Sequence, residues 1–167
     1  MKLFKPKSNS TATFENAHKS RLLSTIKYQT FIPSDYDNIS MADVIYICQS
    51  LNKGHLIVEV FSKDQLNQTI APHSEYSCFI GNHCFHVVET VDFLSDLNIN
   101  TIRHICIYTI LKPFNTSQNI KDLIVQSPFC FADDNYTEIL EFNICSQAYD
   151  PQIIFSLSQK FFDGKIQ

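Results

Sequence analysis

The scarcity of glycine constrains this chain more than any other feature of its sequence. Gly54, Gly81 and Gly164 are the only glycines in 167 residues, whereas about twelve are usual for this length. Loops that hold phosphate need several glycines close together, because the backbone must approach the phosphate without an intervening Cβ. The spacing therefore excludes the Rossmann, P-loop and kinase glycine-rich loops. We expect each glycine to serve a turn or a helix end instead.

Composition and charge predict one domain with an acidic body. Hydrophobic residues make up 44% of the chain, and we expect a disordered basic tail at 1–13 followed by a single α+β domain at 14–167. Residues 1–27 carry six basic residues and one acidic residue, whereas the remainder carries seven basic and sixteen acidic residues. That remainder has one arginine, Arg103, which argues against nucleic-acid binding. The tail is solvated, docked on the acidic body, or in weak contact with a membrane or nucleic acid.

The distribution of apolar residues and cysteines predicts a cytoplasmic protein. No segment reaches the roughly 18 apolar residues of a membrane-spanning helix, and the polar start lacks the apolar core of a secretory signal. The six cysteines are dispersed, so we expect reduced, mostly buried thiols. A periplasmic or secreted location stays open, and no residue pattern indicates a cofactor.

The clearest local structure is a β-hairpin at 76–90. Two apolar runs flank Gly81 and Asn82, a pair suited to the positive φ angles of a two-residue turn. Such a turn fixes the register of the strands and places Ile80 opposite His83. Continued along the hairpin, this register pairs Phe79 with Cys84, Cys78 with Phe85, Ser77 with His86 and Tyr76 with Val87.

Capping residues and apolar periodicity predict the other elements. Ser40 and Asp43 form a capping box before an apolar stripe that ends near Gly54. Asp150 followed by Pro151 marks the start of the last helix. Further helices are expected at 14–29, 91–97 and 117–126, and further strands at 56–61, 103–111 and 138–145.

Together these elements predict an α+β domain with a mixed sheet of about five strands. The hairpin is expected at the centre of the sheet and supplies its antiparallel part. The two later helical connections indicate parallel crossovers. The helices are expected mainly on one face, and the acidic segment after the break at Pro128 is predicted to be a loop.

Two pairs of cysteine and histidine suggest a metal site. Residues i and i+2 of a strand point to the same side, so Cys84 and His86 form one pair and His104 and Cys106 form another. If the two strands adjoin, two sulfurs and two nitrogens are available to zinc. The alternative is a sheet face with small thiols and hydrogen-bonded imidazoles.

The same hairpin also suggests a cysteine nucleophile. Cys78 and His83 share one face of the hairpin, and Cys84 and His86 share the other, as a thiol activated by an imidazole requires. Catalytic cysteines more often lie at a helix N-terminus or an elbow that lowers the thiol pKa. Both pairs are therefore equally consistent with local packing.

The densest acidic segment suggests a surface for a protein partner. Asp133, Asp134 and Glu138 lie close together in the sequence, and Phe131 and Tyr136 add aromatic anchors beside them. Such a surface suits a partner of basic character. The alternative is a loop that packs its aromatic side chains back onto the domain.

These patterns favour a non-enzymatic interaction module, such as an inhibitor or immunity protein, a secretion chaperone or an adaptor. An acidic surface steers a basic partner and needs no catalytic set. One alternative is a small cysteine-dependent hydrolase or transferase that uses a thiol and imidazole of the hairpin. The other is a structural or assembly subunit.

Overall fold

The computed structural model describes residues 28–52, 54–110, 113–135 and 139–162. The predicted tail at 1–13 and nearly all of the helix predicted at 14–29 lie outside these residues, as do Tyr136, Glu138 and Gly164. The described residues form a single antiparallel sheet with helices on both faces.

The sheet contains seven strands in the part of the chain that the structure describes, in the order β1-β7-β6-β5-β2-β4-β3. Every neighbouring pair is antiparallel. The predicted mixed sheet of five strands is therefore wrong. The strands are β1 (Gln29–Phe31), β2 (Leu56–Phe61), β3 (Ser74–Ile80), β4 (His83–Val88), β5 (His104–Thr109), β6 (Phe129–Asp134) and β7 (Ile139–Ile144).

Two strands that the sequence did not predict account for this error. β6 contains the acidic residues that were assigned to a loop, and β1 is a three-residue strand at the sheet edge. Because β6 pairs with both β5 and β7, the helical connection before it leads to an antiparallel neighbour rather than to a parallel crossover. The hairpin is also misplaced, since β3 is an edge strand and not a central one.

Four α-helices lie among the described residues: α1 (Met41–Leu51), α2 (Leu66–Ile70), α3 (Ile120–Gln126) and α4 (Pro151–Phe161). The predicted caps are confirmed, because the Ser40 hydroxyl accepts from the backbone N–H of Asp43 and the Asp150 carboxylate accepts from that of Gln152. The helix predicted at 91–97 is a short 3₁₀ turn, Asp92–Leu94. None of the described helices is long and apolar enough to cross a membrane.

The sheet has a buried core on each face. α1, α2 and α4 cover the first face, where the sheet contributes Val58, Ile105, Phe131 and Phe142. α3 covers part of the second face through Ile120 and Ile124, which join Ile57, Phe85, Val87, Cys106, Tyr108, Cys130 and Ala132. Because both faces of the sheet are covered, charged side chains of its central strands are kept out of contact with water.

The hairpin register is confirmed at every predicted pair. Ile80 lies opposite His83, and the pairs continue to Tyr76 opposite Val87. Gly81 has a φ of 62°, a left-handed conformation that side chains with a Cβ rarely adopt. The turn therefore depends on the residue type at this position.

Substitution of Gly81 tests that dependence. We expect Gly81→Val to lower the free energy of unfolding by about 1–2 kcal/mol, because a left-handed β-branched residue is strained. Gly81→Asn is the matched control and should lose clearly less, since asparagine tolerates this conformation. Urea denaturation measures both. Equal losses in the two variants would contradict the argument from φ.

Candidate functional site

The most unusual side chain of the sheet is Glu59, a carboxylate at the middle of the inner strand β2. β2 is flanked by β4 and β5, and Glu59 lies directly opposite Phe85 on one and Cys106 on the other. His83 and His104 stand two residues before those partners, so both lie diagonal to Glu59 on the second face. Diagonal neighbours on an antiparallel sheet are within reach of long or aromatic side chains.

The two carboxylate oxygens of Glu59 have different partners. Oε1 lies 2.8 Å from His83 Nδ1 and 3.5 Å from His104 Nε2. Oε2 accepts a hydrogen bond of 2.7 Å from the Tyr108 hydroxyl. His104 Nδ1 in turn lies 3.5 Å from Asp134 Oδ2, so the His104 ring bridges two carboxylates.

A thiol and a phenyl ring complete this arrangement. Cys106 Sγ lies 3.9 Å from His104 Nε2. The Phe61 ring packs on both imidazoles, with centroids 4.8 Å from His104 and 5.2 Å from His83. We call the six polar residues the Glu59 cluster: Glu59, His83, His104, Cys106, Tyr108 and Asp134. Five of them expose 2% or less of their surface, and Asp134 exposes 9%.

The acidic and basic groups of the cluster stabilise one another in their charged forms. Burial alone favours the neutral acid, but hydrogen bonding and charge from His104 and His83 outweigh it and lower the pKa of Glu59 to about 2. Burial likewise favours a neutral imidazole, yet Asp134 and Glu59 raise the pKa of His104 to about 9. In the absence of any other ligand, Glu59 and His104 therefore form a buried ion pair at neutral pH.

The structure does not bring the four predicted metal ligands together. β2 separates β4 from β5, and Cys84 and His86 point to the first face, beside Val58 and Val60. His104 and Cys106 point to the second face and belong to the Glu59 cluster. The i, i+2 pattern found two residues of the cluster but joined them to the wrong pair.

His86 has a structural set of partners on the first face. Its Nδ1 lies 2.9 Å from Ser74 Oγ and 2.8 Å from Ser77 Oγ, and its Nε2 lies 2.8 Å from Asn67 Oδ1. The Asn67 amide nitrogen donates to three backbone carbonyls, which leaves its oxygen to accept from His86. Both ring nitrogens are thus occupied, and a role as base toward Cys84 requires these bonds to break.

The thiols of the hairpin are in surroundings that disfavour a thiolate. Burial raises the pKa of Cys78, and burial together with Cys78 raises that of Cys84 to about 11. Burial also raises the pKa of Cys106 far above its ordinary value. A catalytic cysteine needs the opposite shift. Cys78 faces Phe85 across the hairpin, while His83 Nδ1 contacts Glu59.

The acidic residues predicted as a partner surface are inside the sheet. Phe131, Asp133 and Asp134 all lie in β6, and all are buried. Phe131 packs on Phe142 in the first core, and Asp134 belongs to the Glu59 cluster. Tyr136 and Glu138 lie outside the described residues. The predicted loop is corrected to a strand because its apolar half, Phe129–Ala132, pairs on both sides.

A second site lies at the surface, between α1 and α4. A hollow of about 380 Å³ separates the two helices, and Lys160 Nζ lies 4.1 Å above the ring of Tyr46 at its rim. A second hollow of about 290 Å³ is lined by Lys160, Asp35 and Asp43 among others. We call the two hollows the α1–α4 groove; its first part is lined by Tyr46, Ser50, Gln152, Ile153, Ser156 and Leu157.

Sequence reasoning missed the key residues of both sites. The signal for Glu59 was present, since a lone charge inside the apolar run Leu56–Phe61 must be paired when that run is buried. Tyr46 carried no comparable signal, because its exposure depends on where α4 packs. No family model, curated protein or solved structure matches this chain.

Asp133 offers a test of the buried acids by pH. Burial and the neighbouring Asp134 raise its pKa from 3.8 to about 7, against an opposing effect of His104. Because the folded-state pKa lies above the unfolded value, protonation favours the fold, and stability is lost as pH rises through 7. The fold therefore holds an unfavourable charge at pH 8.

We expect Asp133→Asn to remove this loss. Its stability advantage over wild type should grow by about 2 kcal/mol between pH 5 and pH 8, after allowance for solvent screening. Urea denaturation at both pH values measures the change. Asp96→Asn, at an exposed position, is the control and should show no such growth; a pH-independent advantage for Asp133→Asn would contradict the prediction.

Proposed function

We propose that the protein is a non-enzymatic interaction module that binds a basic protein partner in the α1–α4 groove. The observation that carries the proposal is the placement of Tyr46. The residue is 49% exposed and lines a hollow between two helices. Half-exposed tyrosines beside a groove are typical anchors of protein interfaces, because the ring supplies contact area and the hydroxyl a polar handle.

The charge of the described residues supports a basic partner. Of the seventeen acidic residues in the chain, fourteen lie in the described ranges, against four of the thirteen basic residues. Asp35 and Asp43 line the second hollow together with Lys160, whose Nζ lies over the ring of Tyr46 in the lining of the first. A partner segment with an apolar side chain and a flanking base would match this arrangement.

The groove supports an interaction module in general and does not favour one kind of module over another. An inhibitor or immunity protein, a secretion chaperone and an adaptor all need a preformed surface and a steering field. The raised thiol pKa values of Cys78 and Cys84 do not favour the alternative of a cysteine-dependent hydrolase or transferase. The alternative of an assembly subunit predicts a second copy of this chain in the groove.

Two surface variants test the proposal. We expect tagged wild-type protein, expressed in its own host and purified under reducing conditions, to carry a partner in a fixed ratio by native mass spectrometry. Tyr46→Asp should reduce the bound partner at least tenfold, because it places a charge at a central anchor. Thermal denaturation checks that the variant remains folded.

Phe155→Asp is the matched control. Phe155 lies on α4 and is 63% exposed, but it does not line the groove, so its replacement should leave partner binding within twofold of wild type. Equal retention of the partner by Tyr46→Asp would move the contact elsewhere. A dimer of this chain that Tyr46→Asp dissociates would instead favour the assembly subunit.

A further inference from the structure

We propose that the Glu59 cluster is a buried structural site for one zinc-like metal ion. The four ligands are Glu59 Oε1, His83 Nδ1, His104 Nε2 and Cys106 Sγ. They come from three adjacent strands, β4, β2 and β5, so one ion ties together the centre of the sheet. This inference revises the expectation that the protein needs no cofactor, and it is independent of the α1–α4 groove.

Three of the four donor atoms lie close enough together to share a metal ion. The ligand atoms of Glu59, His104 and Cys106 all lie within 4.8 Å of one another. Bond lengths to zinc of about 2.0–2.3 Å place neighbouring ligand atoms about 3.3–3.6 Å apart in a tetrahedron. The observed separations are 3.5 Å from Glu59 to His104 and 3.9 Å from His104 to Cys106. These two separations are within a few tenths of an ångström of the tetrahedral spacing.

His83 supplies the fourth ligand from the opposite side. Its Nδ1 lies 2.8 Å from Glu59 Oε1 but outside the group of three donors that meet within 4.8 Å, so the imidazole must move away from that oxygen and toward the other two donors to enter the shell. Two imidazole nitrogens, one from each flanking strand, thus approach the same carboxylate oxygen. A single ion beside Oε1 would be within reach of both.

The outer contacts of the ligands resemble those of metal centres. A histidine that binds metal through one nitrogen usually presents the other to a carboxylate, which fixes the ring. His104 does so here, since its Nδ1 faces Asp134 at 3.5 Å while its Nε2 faces the proposed ion. The second oxygen of Glu59 is held by the Tyr108 hydroxyl. Both contacts are those that the outer partners of a metal centre provide.

The donor set also balances in charge and protons. One carboxylate, one thiolate and two neutral imidazoles neutralise a divalent cation. Binding therefore displaces into solvent the proton of the Cys106 thiol and any second proton on the His104 ring, with no change of oxidation state. Four protein ligands leave no open position, and such closed sites are structural rather than catalytic.

A second group of donors provides a contrast within the same molecule. His55, Glu75 and Glu89 also bring three ligand atoms within 4.8 Å, but Glu75 and Glu89 are exposed and there is no thiol. Exposed acidic groups of this kind are common without an ion. Removing this group with His55→Gln therefore separates surface binding from the buried site.

Cobalt reports the proposed ligands directly. The full chain, unfolded with chelator and refolded with Co²⁺ under reducing conditions, should bind one equivalent. Tetrahedral visible bands and a thiolate-to-cobalt charge-transfer band should appear, and one equivalent of Zn²⁺ should remove both. Weak octahedral bands without charge transfer would overturn the proposal, as would refolded protein that retains no cobalt after desalting. These outcomes need no substitution.

The variants then assign the ligand. Cys106→Ser should abolish the charge-transfer band, whereas Cys84→Ser, a buried cysteine on the opposite face, should keep it. His55→Gln should keep both the band and the stoichiometry. Zinc should also raise the melting temperature of wild type and His55→Gln. A band that survives in Cys106→Ser, or is lost in Cys84→Ser, would assign the thiolate elsewhere and overturn the site.

Discussion

The arrangement of the sheet depends on the pairing of a single buried carboxylate. Glu59 stands on a strand that is buried on both faces, where an isolated charge is very costly. The flanking strands provide partners for this charge from both sides, with an imidazole on each strand and a tyrosine hydroxyl on one. The strand order around β2 therefore does more than bury apolar side chains. Another arrangement of these strands would leave the Glu59 carboxylate without partners for its charge. Whether a proton or a metal ion completes the shell, the positions of the donors follow from the register of three strands.

The predicted features that were confirmed are those encoded by residues close in sequence. The hairpin turn at Gly81, its complete register and the caps at Ser40 and Asp150 each depend on a few adjacent positions. β6 escaped prediction because its apolar half is only Phe129–Ala132 and two aspartates follow, a pattern that resembles a loop. Its place between β5 and β7 depends on partners elsewhere in the chain. Once β6 was missed, the direction of every later strand was uncertain, and the parallel crossovers followed from that gap.

The candidate site divides in the same way. His104 and Cys106 share a face by the alternation of a strand, so their pairing was predictable. Their supposed partners Cys84 and His86 also share a face, but it is the opposite one, and β2 intervenes. The alternation within a strand shows which of its residues share a face, but not which strands are neighbours in the sheet. No periodicity within either strand can therefore reveal that β2 lies between them. Glu59 was the one readable clue, since a charge within an otherwise apolar buried strand demands a partner.

The pairing of β1 with β7 has a consequence for how the chain folds. Gln29 lies opposite Ile144, so the two strands at this edge of the sheet are separated by most of the described sequence. Contacts of such long range are costly in loop-closure entropy and are typical of slow folding. During synthesis, β1 has no strand to pair with until residue 144 has left the ribosome. Between the synthesis of β1 and that of β7, β1 therefore remains without this partner, and unpaired strands of this kind are prone to aggregation.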